Sequence, residues 1–302
     1  MAVFQIKFKS QSTIVDSIKI TRAVTYAYSV LYPDKIDGFI SDLKNGTKSF
    51  STLLPLINSV PMFPMPYINN IVDKNNSRAE KISAMKNRKK IPNYINEAEL
   101  KECINNFSQN SYNGMEYNKI FTNKNSTQPL SEPVSEPGIN IYSNPKRVSG
   151  EIKYNDVFTK ELYIYHDSYF IAENSDEYTD AAVMLLNDLG ISGRRSTGKG
   201  QANIKKMESN IETGFKYPGF YILLSSFIPD NESVKNIDFA KSRYNISIFQ
   251  GKSINGNPIG PFRYFMAGSV IYINKPVKGK VYSENNGIIP FIPLIKVINN
   301  ES

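Results

Sequence analysis

Each half of this 302-residue chain opens on a strand pattern, continues through a helix pattern and returns to strands. In the first half, Phe4, Ile6 and Phe8 alternate with Gln5, Lys7 and Lys9, which predicts an edge-to-core strand over Val3–Lys9. Val24, Ala27, Tyr28 and Leu31 then fall at i, i+3, i+4 and i+7, and Pro33 ends that helix. In the second half, runs around Val157–Tyr165 and Tyr169–Ala172 read as strands. A helix follows over Thr179–Leu189, with Ala182, Leu185, Leu186 and Leu189 on one face and Gly190 as its stop. Further strands are predicted at Gly219–Ile228, Tyr244–Phe249 and Phe262–Ile273, the last two joined by a loop containing the turn pair Asn255-Gly256. The order points to an α+β fold with helices on one face of an antiparallel sheet.

The connecting segments differ in kind. Leu53–Ile68 holds four prolines and predicts an extended, rigid surface stretch rather than a helix. Lys74–Lys90 carries seven Lys/Arg against Glu80 alone. A second helix is expected after it, because Asn96 with Glu99 resembles a capping box and Leu100, Cys103, Ile104 and Phe107 form an apolar stripe. Cys103 is therefore a core thiol. Asn105–Asn144 is rich in Asn, Ser and Pro, so it reads as a long mobile insertion or the tip of a protruding hairpin.

Composition removes several chemistries. One Cys and one His cannot supply the usual four ligands of a zinc site, and Cys103 has no mate for a disulfide. Nucleophilic catalysis through an imidazole would have to run through His166, which sits beside Asp167 in a strand region and reads as structural. No apolar run reaches the roughly 18 residues of a membrane span, and MAVFQIKFKS lacks a signal-peptide core, so a cytoplasmic protein without metal or cofactor is expected. The net charge of +8 is uneven. Glu151–Gly190 holds two Lys against nine carboxylates, whereas Ile191–Lys206 holds five cations and no acid. A cationic block beside an anionic one points to two different neighbours.

The cationic block includes the most specific motif, Gly190–Gly200, GISGRRSTGKG. Gly193, Gly198 and Lys199 nearly fit a nucleotide-binding P-loop. Gly200 stands where the magnesium-holding hydroxyl belongs, however, and the loop leaves a helix instead of a strand, so nucleotide hydrolysis is rejected. Glycines still let backbone N–H groups approach phosphates, Arg194 and Arg195 can fork onto phosphate oxygens, and Ser196 and Thr197 add hydroxyls. The alternative is a surface turn with solvated charges.

LNDLGISGRRSTGKGQ resembles the helix and glycine-rich loop of the RAMP superfamily of CRISPR ribonucleoproteins. NSVPMFPMPYI, NRKKIPNYINEAELKECI, NPKRVSGEIKYNDVFTKELYIYHDSYFIAE and FRYFMAGSVIYINKPVKGKV resemble, in order, passages of the fourth Csm subunit of type III-A effectors. The resemblance implies two ferredoxin-like (RRM-like) domains with a protruding thumb hairpin, here 1–147 (with a thumb insertion at 108–147) and 148–302. It also implies a non-catalytic subunit that caps the 5′ repeat-derived tag of crRNA. The expected partners are that crRNA, the large polymerase-like subunit and a neighbouring backbone RAMP subunit, with no membrane involved. Gly193, Arg194, Arg195, Ser196, Thr197, Gly198 and Lys199 would hold tag phosphates, while Lys146 and Arg147 match the basic foot of the thumb. Tyr142 is an aromatic candidate for base stacking. Where the family tends to carry an acid in its first helix this chain has Arg22, which either faces RNA or is held by solvent. Two other readings stand beside this one: a metal-independent endoribonuclease of the same superfamily using His166, and a protein-interaction module using the acidic Glu151–Gly190 face.

Overall fold

The computed structural model describes residues 1–67, 93–108, 129–148, 151–191, 197–208, 211, 217–252, 258–284 and 287–297; at 104–108, 138–148, 151–158, 252, 284 and 297 it describes the backbone only. The chain forms β1 (Ala2–Phe8), α1 (Ser17–Leu31), α2 (Ile36–Asn45), β2 (Ser49–Phe50), β3 (Leu54–Ile57), β4 (Val60–Pro61), β5 (Phe63–Pro64) and β6 (Tyr94–Ile95). There follow α3 (Glu97–Ser108), β7 (Ser131–Val148), β8 (Glu151–Tyr165), β9 (Ser168–Glu173), α4 (Glu177–Leu189) and β10 (Ala202–Met207). Among the described residues of the last third the regular elements are strands apart from a short 3-10 turn: β11 (Gly219–Leu223), β12 (Ile237–Arg243), β13 (Ile246–Lys252), β14 (Pro258–Phe265), β15 (Val270–Ile273), β16 (Lys280–Glu284), β17 (Gly287–Phe291) and β18 (Ile295–Val297). The architecture is α+β with antiparallel sheets, as the sequence pattern indicates.

The main sheet runs β10-β1-β9-β3-β4, with β2 also on β9. β1 is a central strand instead of an edge: Phe4 faces Phe170 on one side and Lys206 on the other. This sheet takes strands from both sides of residue 147, so the division at 147/148 does not separate two sheets. Its position follows from burial on both faces. Phe4 and Ile6 meet Val24, Ala27, Ala182 and Leu186 of α1 and α4, while Val3 meets Tyr169, Ile171, Ile222 and Leu224 on the opposite face. Each fully buried large side chain contributes roughly 2 kcal/mol of transfer free energy. The second sheet, β12-β15-β11-β18, packs against that opposite face.

Local signals account for the helix ends. Asp16 caps α1 by accepting from the Lys19 N–H at 2.9 Å, and Gly190, at φ +71°, closes α4. The capping box at α3 is real: the Asn96 N–H reaches Glu99 Oε2 and the Glu99 N–H reaches Asn96 Oδ1, both at 2.9 Å. Leu100 and Cys103 are fully buried, and burial, helped by Glu102 and Glu99, pushes the Cys103 thiol up to about 12, so it is inert.

Three expectations are corrected. Residues 53–57 and 62–64 are extended, yet they are core and not surface: Leu53, Leu54, Leu56 and Phe63 are buried because β3 pairs into the main sheet, and only the turn at 58–60 is exposed. Residues 131–144, read as a mobile insertion or the tip of a protruding hairpin, are not a mobile insertion; the hairpin alternative holds, since they belong to β7, which pairs with β8 in a long hairpin. Pro133 and Pro137 are tolerated because a two-stranded ladder leaves each strand an unpaired edge. The strand expected over Phe262–Ile273 is two strands, β14 and β15, separated by a turn where Gly268 takes φ +90°. The Lys74–Lys90 stretch, the Asn255-Gly256 turn and the side chains of Ile104 and Phe107 lie outside the described residues.

A buried cation just before β2 ties that strand to the N-terminus of α4. Lys48 is 5% exposed and donates to Asn174 O and Asp176 Oδ2, each at 2.9 Å, and to Thr179 Oγ1 at 3.3 Å. Burial opposes ionisation of Asp176, but Lys48, the Thr179 hydroxyl and the Thr179 N–H outweigh it and hold the carboxyl at about 2. A folded pKa below the unfolded value of about 3.9 stabilises the fold above that value. This contribution is therefore expected to fade as pH falls from about 4 to about 2. Lys48→Met is expected to cost about 1–2 kcal/mol at neutral pH and to flatten that acid limb, measured by urea melts at several pH values. An unchanged acid limb would show that the contact does not matter.

Candidate nucleic-acid interface

The C-terminal arm of the glycine-rich loop is sewn to the connection between β1 and α1. The Ile191 N–H donates to Gly200 O at 3.1 Å, the Gly200 N–H to Gln11 O at 2.9 Å, the Gln201 N–H to Ser10 Oγ at 3.0 Å and the Lys9 N–H to Gln201 O at 2.8 Å. Gly198 and Gly200 both take φ +74°, which only glycine adopts without strain, so the turn depends on them. Lys199 Nζ is engaged by Gln11 Oε1 at 3.0 Å and lies 3.4 Å from Glu136 Oε2 on β7. Its first task in this structure is to tie the loop to the hairpin root. Thr197 and Gly198 stand beside it, whereas Gly193, Arg194, Arg195 and Ser196 lie outside the described residues.

Next to this seam a groove crosses the end of β1. One part, about 290 Å³, is lined by Phe8, Lys9, Ser10, Gln11, Ile164 and Tyr165. The other, about 410 Å³, adds Lys7, Asn58, His166 and Asp167. The two share Phe8 and Tyr165, whose rings stack at 4.8 Å. Tyr165 is fixed from behind, where its hydroxyl accepts the Val15 N–H at 2.8 Å, and burial raises its pKa. The groove floor is thus aromatic and rigid. Lys7 and Lys9 are exposed on its wall, with Lys7 paired to Asp167 at 2.6 Å. Cations, hydroxyl and amide groups over a fixed apolar floor suit a single-stranded nucleic acid, whose phosphates and bases ask for both.

Sequence reasoning missed Lys7, Lys9, Ser10 and Gln11 as site residues. The available signal was the polar face of β1, which reads as solvent until the glycine-rich loop is seen to join it.

The remaining candidates are spread out. Lys146 pairs with Lys153 and Arg147 with Ile152, so both sit next to the distal turn of the β7–β8 hairpin. They lie at its tip, not its foot, because the hairpin root is Ser131 against Tyr165, roughly 50 Å away at strand rise. Tyr142 falls in the register irregularity between Ile141 and Lys146, and its side chain is outside the description. Arg22 is exposed on α1. His166 lines the groove at the hairpin root. Its backbone N–H donates to Leu130 O at 3.1 Å, and its side-chain Nε2 lies 3.3 Å from Glu132 Oε1 without the alignment of a hydrogen bond. Among the described residues no group of His, Cys, Asp and Glu could hold a metal ion, and no helix is long and apolar enough to cross a membrane.

No protein-family model and no curated protein matches the sequence. Solved structures do match the fold. A chain in the crystal structure of a Csm3–Csm4 subcomplex of the type III-A CRISPR–Cas interference complex aligns with TM-score 0.60 and 16% identity, covering 99% of this chain and 100% of its own. A chain of a Csm1–Csm4 cassette in complex with cA4 aligns with TM-score 0.57 and 12% identity, covering 100% and 99%. A chain of the type III-B Cmr-beta complex bound to cognate target RNA and AMPPnP aligns with TM-score 0.52 and 12% identity, covering 89% and 86%. Csm4 is the component common to the first two, and this chain shares the fold of the matched chains from end to end.

Proposed function

We propose that this protein is a non-catalytic, RNA-holding subunit of a type III CRISPR effector complex, of the III-A kind. It binds the 5′ tag of crRNA beside the glycine-rich loop and contacts a large polymerase-like subunit and a neighbouring RAMP subunit in the cytoplasm. The observation that carries this reading is the likeness over the full length of both chains to structures containing Csm4. The order β10-β1-β9-β3, with α1 and α4 on one face, supports a first ferredoxin-like unit made from residues 2–57 and 168–207. The β7–β8 hairpin, inserted between its second and third strands, is our candidate thumb. Tag phosphates would run along Arg194, Arg195 and Thr197–Lys199 to Lys9 and Lys7, contacts that position RNA without reading its sequence.

Arg194→Ala with Arg195→Ala is expected to weaken binding of 5′-tagged RNA by about 100-fold, since each charge-assisted contact contributes roughly 1.5 kcal/mol. The salt slope of binding should also fall by about 1.4, two fewer phosphate contacts on a single strand. Wild-type affinity at physiological salt would overturn the reading. In the same binding reactions with EDTA the RNA should stay intact, and a product that disappears with His166→Ala would replace the scaffold with the endoribonuclease.

A further inference from the structure

The β13–β14 hairpin buries one face and leaves the other apolar and open. Its inner face carries Phe249, Phe262 and Tyr264, whose rings pack on Phe291 at 5.9, 5.8 and 5.6 Å. Strand alternation sends Ile246 and Ile248 outward, where they are 50% and 57% exposed. Ile246 pairs with Phe265 and Ile248 with Arg263. Phe265 joins the patch to β12, since its ring lies 6.2 Å from that of Phe239, itself 37% exposed; Met266 adds 36% exposure at the end of β14. Two exposed isoleucines side by side, continued by a phenylalanine and a methionine, form a larger apolar surface than scattered hydrophobes give.

Charge selects the occupant. From Phe239 to Ser283 the chain has seven Lys/Arg and no Asp or Glu. Arg263 lies directly across from Ile248 and Arg243 follows Phe239 on β12, while Lys241 on the same strand is 3.5 Å from the Asp238 carboxylate. A second copy of this chain would set these cations against one another, which disfavours self-association. RNA would satisfy the charge but not the aliphatic surface, because isoleucine offers no face for stacking, and the rings of Phe239, Tyr244 and Phe265 already pack on one another at 5.1–6.2 Å.

We propose that the outer face of the β13–β14 hairpin, with Phe239 and Met266, docks a different protein subunit whose apolar contact surface is rimmed by carboxylates. The site is separate from the RNA groove and rests on the proposed function only in placing the chain within an assembly.

The test puts a benzoyl-phenylalanine photocrosslinker at position 248 of the full-length chain in its native host, with crosslinked peptides sequenced from the purified assembly. The expected product is a peptide of another protein in which Asp or Glu flanks apolar residues. Ile248→Asp and Arg263→Glu should each weaken co-assembly at least about 30-fold, as for a central interface residue, with melting temperature and tagged-RNA affinity unchanged. Replacing the crosslinked partner's carboxylate with Lys should restore assembly to the Arg263→Glu variant. Crosslinks to RNA or to a second copy, an absence of crosslinks, or wild-type assembly of both variants would overturn the proposal. Loss of RNA affinity in the Arg194/Arg195 variant reads the other site, so the two ideas fail separately.

Discussion

A fragment ending at residue 147 is expected to be unfolded in isolation, with little cooperative melting and collapsed amide dispersion in NMR. It keeps β1 and α1 but loses β9, α4 and β10, so both edges of β1 are left unpaired. Phe4, Ile6, Val24 and Ala27 would lose Phe170, Ala172, Ala182, Val183 and Leu186, all fully buried in the intact chain. Exposing that set removes more than about 5 kcal/mol, comparable with the 5–15 kcal/mol that stabilises a typical domain. The β7 strand would also lose its only partner among the described residues, β8. A cooperative transition in the fragment would show instead that the first half folds without strands from the second.

Gly279→Ala is the point substitution expected to do most damage. A Cβ built there would stand 2.2 Å from Phe291 O, 2.7 Å from Ile292 Cα and 2.9 Å from the Phe291 carbonyl carbon. All three are backbone atoms, so no side chain can rotate away. Nor can the strand retreat: Phe291 is fully buried, holds the inner face of the β13–β14 hairpin, and shares the neighbourhood of Ile228, whose carbonyl accepts the Lys280 N–H at 2.8 Å. Overpacking against fixed backbone is expected to cost about 3 kcal/mol or more, a fall in melting temperature of roughly 5 °C or more for a chain of this size. Gly46→Ala is the control. Its Cβ meets nothing within 4 Å, and only the φ of +72° opposes it, a cost of about 1–2 kcal/mol. Equal melting shifts in the two variants would refute the packing argument.

Legibility in the sequence followed the range of the interaction. The α3 capping box, the Gly190 stop and the α4 stripe depend on residues a few positions apart, the pairing of β13 with β14 on residues at most 19 apart, and all were readable. The helix α2 was not. Phe39 and Leu43 are buried at helical spacing, but Pro33 reads as a terminator and Gly38 weakens the pattern. β7 was legible only as one of two alternatives, a protruding hairpin beside a mobile insertion, because its Asn, Ser and Pro content promises little burial; a two-stranded hairpin needs little, since its ladder is satisfied by β8 alone. Lys199 was legible as a loop cation, but its engagement by Gln11 and Glu136 joins residues 188 and 63 positions apart, beyond any local pattern.

By itself, then, the sequence determined the secondary elements with strong local signals, the exclusion of zinc and disulfide chemistry, and a cationic glycine-rich loop between a helix and a strand. Tertiary structure alone decided that β1 lies between strands drawn from residues 168–207, that the prolines after Leu53 are core, and that the loop closes against Ser10 and Gln11 to border a groove. The physical reason is that a strand presents two edges and two faces whose partners can come from anywhere in the chain, whereas caps and stops are settled within one turn of helix.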